Sequence, residues 1–357
     1  MRIATLSNAA VVHTTRWVEH FRARGHDVRL FSLEPGPAHA HDVRLPSAPL
    51  PGALRYPLAL PRLVHEIDRF APDLIDAHFV PNYGLLGALC GRRPLSVAAW
   101  GSDLLLTAGR DPWQRLRARF VLRRADLVLC DARNLAAAAL AAGARPASVR
   151  ALPWGVDRAR FVPATDRERG LLLSTRMHED IYDIPTLLRA VAPVLAEHPH
   201  ARLVVAGEGS RRGSLERLAA SLLPAGRFQF VGRISPVDLA GWLGRAEVFL
   251  SASHSDSTSQ SLLEAMAAGA VPVVSDIEGN REWVTDGDGA RSFAIGDVAG
   301  CTRAIGHALA DRVWADAARA RNAAVIAARA DWPTNLARIE HWFGLLAAGR
   351  PLPAEGA

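Results

Sequence analysis

Short apolar runs, separated by segments of helical spacing, recur along the whole chain. Residues 2–7 read as a strand, 14–24 as a helix stopped by Gly25, and Asp27–Ser32 as a second strand. The alternation continues with helix Leu60–Phe70, strand Asp73–Ala77, helix Tyr83–Leu89, strand Leu95–Trp100 and a basic helix over Pro112–Arg123. Strand Leu127–Cys130, helix Ala132–Ala141 and strand Val149–Leu152 follow. Strands spaced by ten- to fifteen-residue helices predict a doubly wound parallel sheet, an α/β architecture. Pro153-Trp154-Gly155-Val156-Asp157 and Phe161-Val162-Pro163 are turn-rich and read as a domain boundary. A second alternation begins at Leu171, with strands Leu203–Ala206, Phe228–Val231, Val248–Ser251 and Val271–Ser275. Two facing sheets would form a cleft, and ligands of open α/β sheets bind beyond the carboxyl ends of the strands.

Length supports this division, since 357 residues exceed what one ordinary core organises. The expected domains are 1–160 and 161–331, with helix 332–350 returning to the first. Cys90, Cys130 and Cys301 lie far apart, a pattern that argues against a disulfide framework or a zinc site and for a reducing compartment. The chain opens directly on a strand, and no apolar run approaches the roughly 20 residues of a membrane span. A cytoplasmic protein is expected, with a peripheral position at the inner membrane face as an option. Every one of the 42 basic residues is Arg. Residues 1–165 carry 22 Arg and 13 acids (net +9), and the remainder 20 Arg and 23 acids (net −3), which sum to the overall +6. The basic half suits an anionic partner such as a lipid surface or phosphorylated acceptor, or serves solubility alone. No nucleic-acid partner is expected.

The most informative segment is Ser255-Asp256-Ser257-Thr258-Ser259-Gln260-Ser261-Leu262-Leu263-Glu264-Ala265-Met266-Ala267-Ala268-Gly269, followed by Ala270-Val271-Pro272-Val273-Val274. It predicts a polar turn, a buried helix and a core strand. Asp256 falls in the turn and Glu264 about two turns inside the helix. Unpaired amides near Ser259–Ser261 favour a phosphate, and the two acids suit sugar or ribose hydroxyls.

This segment resembles the acid-x7-acid signature of retaining, nucleotide-sugar-dependent glycosyltransferases of the GT-B fold, family 4, with Asp256 in place of the usual first Glu. The boundary passage resembles the Pro-Asn-Gly-Val-Asp…Phe-x-Pro linker of that family. The resemblance implies two Rossmann-like domains, a nucleotide-sugar co-substrate, no cofactor or metal, and a sugar, lipid or small-molecule acceptor. It implies a catalytic set of Arg176, Asp256 and Glu264, with Arg176 facing the diphosphate, Asp256 the donor sugar and Glu264 the ribose. Donor contacts are expected from Gly207, Arg211, Arg233, Ile234, Ser259 and Gln260. The Lys usually found shortly after this Arg is missing from Met177-His178-Glu179-Asp180-Ile181-Tyr182-Asp183. Arg211 or Arg212, or less readily His178, is left to supply the second charge.

In the first domain His13, His78, Trp100 and Asp103 fall at strand ends or nearby turns and are candidates for acceptor binding. His78 and Asp103 read equally well as a packed histidine and a cap. Relatives often carry His where Trp100 stands, and their Gly-Gly loop after the first strand is replaced by Ser7-Asn8-Ala9-Ala10. Trp113, Leu116 and Phe120 sit at helical spacing among arginines; the favoured reading is an ordinary helix packing that stripe on the sheet, the other a membrane-surface helix. Asp286-Gly287-Asp288 reads as a turn rather than a metal motif. A nucleotide-sugar epimerase and a catalytically silent nucleotide-sugar-binding subunit are the alternative functions. An NAD-dependent enzyme is disfavoured because no Gly-x-Gly-x-x-Gly follows the first strand.

Overall fold

The computed structural model describes residues 1–36, 39–47, 55–107 and 112–354. Two compact units emerge, one of Met1–Leu152 with Ala337–Ala357 and the other of Pro153–Leu336. The division thus falls after Leu152 and within the last helix, against the 160 and 331 read from the sequence.

The first unit runs β1 (Arg2–Leu6), α1 (Val12–Ala23), β2 (Asp27–Ser32), β3 (Val43–Arg44), α2 (Arg55–Leu58), α3 (Leu60–Phe70) and β4 (Leu74–His78). Then come α4 (Leu85–Cys90), β5 (Leu95–Ala98), α5 (Pro112–Arg124), β6 (Leu127–Cys130), α6 (Arg133–Ala141) and β7 (Val149–Ala151). Its seven strands are parallel in the order β3-β2-β1-β4-β5-β6-β7. Helices cover both faces, so β4, β5 and β6 are buried along their full length and read as unbroken apolar runs rather than alternating ones. A wide π-type turn, Phe79–Gly84, occupies the start of the helix expected at Tyr83.

The second unit repeats the scheme with β8 (Leu171–Ser174), α7 (Ile184–Glu197), β9 (Arg202–Ala206), α8 (Arg212–Leu222), β10 (Phe228–Gly232), α9 (Pro236–Arg245) and β11 (Val248–Ser251). It continues through α10 (Gln260–Ala267), β12 (Val271–Ser275), α11 (Glu278–Arg281), β13 (Thr285–Asp286), β14 (Gly289–Phe293), α12 (Val298–Ala310) and α13 (Arg312–Arg329). Its sheet order is β10-β9-β8-β11-β12-β14-β13. Strand order reverses between β8 and β11, the switch point where loops diverge and leave room for a ligand. The final helix, α14 (Trp332–Ala347), starts in this unit and finishes in the first. Gly155 adopts φ +91°, and a Cβ there would lie 2.6 Å from the Ala330 carbonyl oxygen, so glycine lets the linker bond to the end of α13. Among the described residues no helix is long and apolar enough to cross a membrane.

One expectation is overturned. On α5 the residues facing inward are Ala118, Val121 and Leu122. Trp113, Leu116 and Phe120 are 71%, 58% and 38% exposed, so the stripe does not pack on the sheet. The small Ala and branched Val and Leu fill the face towards the neighbouring elements, and helical periodicity alone could not tell the two faces apart.

Candidate active site at the second switch point

Arg176 lies two residues beyond β8, and the turn from β11 into α10 carries Asp256 and Ser259. Both loops rise over the same switch point, which is why residues eighty positions apart meet. Arg176 is 7% exposed. Its Nη1 donates to Ser259 Oγ and Ser261 Oγ, both at 2.7 Å, and its Nη2 donates to Asp256 Oδ2 at 2.6 Å. The Tyr182 ring lies 4.3 Å from the guanidinium carbon, a cation–π contact. Nε of Arg176 has no partner among the described residues, an unspent buried donor of the kind that a ligand oxygen satisfies.

Ser259 caps α10, its hydroxyl accepting the Leu262 amide, so one side chain both starts the helix and receives Arg176. Glu264 stands five residues past the cap, little more than one turn into the helix rather than two, because the turn extends to Ser259. It is buried, and its Oε1 accepts from Gln260 Nε2 at 3.2 Å. The same amide nitrogen donates to the Gly155 carbonyl at 3.1 Å, tying this acid to the linker.

The turns after β9 and β10 adjoin the cluster. Gly207 has φ +133°, and a Cβ there would sit 2.5 Å from the Arg176 carbonyl oxygen, so only glycine fits. Its amide donates to the Gly232 carbonyl, immediately before Arg233 and Ile234. Arg233 is exposed and Ile234 half-buried. Arg211 is paired with Asp180 at 3.0 Å on the surface, and Arg212 with Glu208 and Glu216, so both expected sources of a second charge are already matched by carboxylates. His178 is fully buried, edge-on to Phe230 at 5.7 Å, with neither ring nitrogen bonded among the described residues. Burial, aided by Arg212, lowers its pKa and favours the neutral ring.

Tyr182 and the Ser261 hydroxyl were not singled out from the sequence. Tyr182 falls in the segment where the missing Lys was sought, which is the one signal that pointed to it. Burial raises its pKa, so it stays a neutral phenol over Arg176.

In the first unit the named residues also gather. His13 and His78 lie edge-on to Trp100, at 6.2 and 5.7 Å. His78 Nε2 is 3.0 Å from Asp76 Oδ2, which also accepts from Trp17 Nε1 at 2.9 Å. The Asp103 carboxylate is buried and takes the Val80 and Trp100 amides, so its oxygens brace the turn after β5. Burial lifts its pKa to about 6 despite those amides. Asp286 and Asp288 pair with Arg291 and Arg321, and no cluster of metal-ligating side chains is present among the described residues.

Two family profiles match the chain, "Glycosyl transferase 4-like" over residues 2–132 and "Glycosyl transferases group 1" over residues 168–311. Together they account for most of its length, one in each unit, and the chain belongs to these glycosyltransferases, with their GT-B pair of Rossmann-like units. The sulfoquinovosyl transferase SQD2 of Arabidopsis thaliana is 28% identical over 83% of this chain, which spans 62% of the plant protein's length. A GDP-mannose-dependent alpha-mannosyltransferase of Mycolicibacterium smegmatis is 27% identical over 85% of this chain and 86% of its own. The structure of Anabaena Alr3699/HepE in complex with UDP-glucose matches with TM-score 0.83 at 17% identity, covering 97% of this chain and all of that one.

Proposed function

We propose that the chain moves a hexose-type sugar from a UDP- or GDP-sugar to an acceptor hydroxyl with retention at the reacting carbon. The observation that carries this reading is the Arg176 cluster: a buried guanidinium at a helix start, ion-paired with Asp256, with the buried Glu264 little more than one turn further along the same helix. A guanidinium and helix amides suit a diphosphate, and they stabilise the charge that grows on it as the sugar leaves, an effect often worth several kcal/mol. In this reading Nε of Arg176 and the amides after Ser259 receive the phosphates, without a metal ion. Asp256 holds sugar hydroxyls and Glu264 the ribose, steadied by Gln260. Gly207, Arg233 and Ile234 supply backbone to the nucleoside, while Arg211, its amide donating to the His178 carbonyl and its guanidinium paired with Asp180, borders the same turn. The first unit binds the acceptor, a glycan, lipid-linked or small molecule, near His13, His78 and Trp100. The donor bound to the HepE neighbour and the donor in the name of the mannosyltransferase relative support the nucleotide-sugar class without choosing the base.

A second reading, a chain that binds nucleotide sugars without transferring them, is favoured by the aromatic ring of Tyr182 standing over Arg176 where a second cation was sought. One experiment separates them. The protein is incubated with labelled UDP- and GDP-sugars, with EDTA and with acceptor pools, beside Arg176→Ala and Glu264→Ala. Transfer or slow donor hydrolysis that both variants lose supports the first reading. Nucleotide-dependent thermal stabilisation without turnover supports the second, and equal turnover by both variants sinks the site.

A further inference from the structure

The exposed face of α5 carries both arginines and large apolar side chains. Pro112–Arg124 contains five arginines and no acid. At 100° per residue Trp113, Leu116 and Phe120 fall within one narrow sector, with Arg119 and Arg123 bordering one side and Arg117 and Arg124 the other. Arg119 and Arg123 are exposed.

A second feature lies beside it. Arg123 and Arg124 line a recess of about 130 Å³ together with Arg92 and Arg93. Arg92 is held by Asp68 and Arg93 by Asp126, which neutralises half of that charge. Arg124 donates to the Ala88 carbonyl and lies over the Phe120 ring, and neither it nor Arg123 forms an ion pair with a carboxylate among the described residues. The recess therefore keeps two unmatched positive charges next to a Trp-bearing apolar strip.

We infer that the exposed face of α5 docks on an anionic phospholipid bilayer, with Trp113, Leu116 and Phe120 entering the headgroup boundary and Arg119, Arg123 and Arg124 meeting lipid phosphates. Three observations favour a bilayer over a protein partner. The apolar sector is narrow and convex, as on a surface-lying helix. Its ring-bearing residues suit the interfacial zone, where an aromatic ring is half in oil and half in water. Arginines on both borders can run their stems along the apolar strip and place their heads at phosphate level. The inference does not depend on which sugar is transferred.

The full chain is sedimented with vesicles of phosphatidylcholine alone and of an equal mixture with phosphatidylglycerol, at low and high salt. Binding is expected to the mixture only and to weaken as salt rises. Trp113→Ala/Leu116→Ala/Phe120→Ala and, separately, Arg119→Ala/Arg123→Ala are each expected to lose at least about tenfold in vesicle affinity. These positions are on the surface, so nucleotide-dependent thermal stabilisation serves as the control for folding and for the donor site. Failure of wild-type protein to sediment with the mixture overturns the inference whatever the variants do. Unchanged affinity of both variants overturns it too, as does a change in oligomeric state of the triple variant with no vesicle binding by wild type, which would mark the face as a contact between copies. If nucleotide binding persists in any of these cases, the reading of the donor site stands while the docking surface falls.

Discussion

At the scale of single residues, the ion pair between Arg176 and Asp256 sets two demands against each other. A diphosphate approaching Arg176 meets a carboxylate already 2.6 Å from Nη2. Removing the negative charge but keeping the shape, as Asp256→Asn does, is expected to tighten UDP or GDP binding several-fold while lowering transfer; calorimetric titration that finds weaker nucleotide binding would refute this. Arg176→Lys keeps one charge but cannot reach Ser259, Ser261 and Asp256 together, because an ammonium lacks the planar fork. Its transfer rate should fall by about 10²-fold or more, on the scale of losing one strong donor to a developing anion, measured under saturating donor. Asp103 offers a pH test. Its native pKa of about 6 stands above the ordinary 3.8, so the folded state holds more protons than the unfolded state between those values. Its contribution is full below about pH 4 and is lost as pH rises through 6, a change of about 3 kcal/mol. Urea unfolding from pH 4 to 7 should show a gentler decline for Asp103→Asn than for wild type, and parallel curves would contradict the assignment.

At the scale of elements, α10 and the β9 turn govern whether the site forms. Ser259→Ala removes the cap of α10 and one acceptor of Arg176, and should cost about 1 kcal/mol in urea unfolding. Gly207→Ala forces a Cβ against the Arg176 carbonyl at φ +133°, and strain of about 1–3 kcal/mol should appear with impaired nucleotide binding. Much of this was legible in the chain. Val248–Ser251 and Val271–Ser275 are fully buried strands with the expected limits, and Ser255–Gly269 announced its turn and helix. Other features depend on tertiary neighbours that periodicity does not encode. The wide turn at Phe79–Gly84 rests on the Asp103 carboxylate, 23 residues away, accepting the Val80 amide. The outward stripe of α5 was hidden because Ala118 and Val121 give its buried face no greater hydrophobicity than its exposed one. Tyr182 was passed over because a search for a cation ignores a ring that holds one.

At the scale of the whole molecule, the discontinuous first unit makes a prediction of its own. Residues 337–347 of α14 supply Ile339 and Phe343 to that unit, both fully buried. Phe343 stacks on Phe21 at 5.4 Å and lies 6.4 Å from Trp17, whose indole nitrogen holds Asp76. Glu340 bonds His26 at 2.8 Å and Arg24 at 3.0 Å, fixing the same helix to the turn before β2. Truncating Phe343 to Ala should therefore destabilise the first unit by about 3–5 kcal/mol, since a buried ring leaves a cavity that its neighbours fill only in part. The second unit, whose core draws on Ile326 and Ala330 ahead of α14, should keep its stability. Denaturant unfolding followed by tryptophan fluorescence and by nucleotide protection distinguishes the cases. Two separated transitions, only the earlier one shifted by Phe343→Ala and only the later one shifted by added nucleotide, match a site built wholly in the second unit. A single transition moved equally by the substitution and by nucleotide would mean that the units unfold as one, and the assignment of donor binding to the second unit would lose its thermodynamic support.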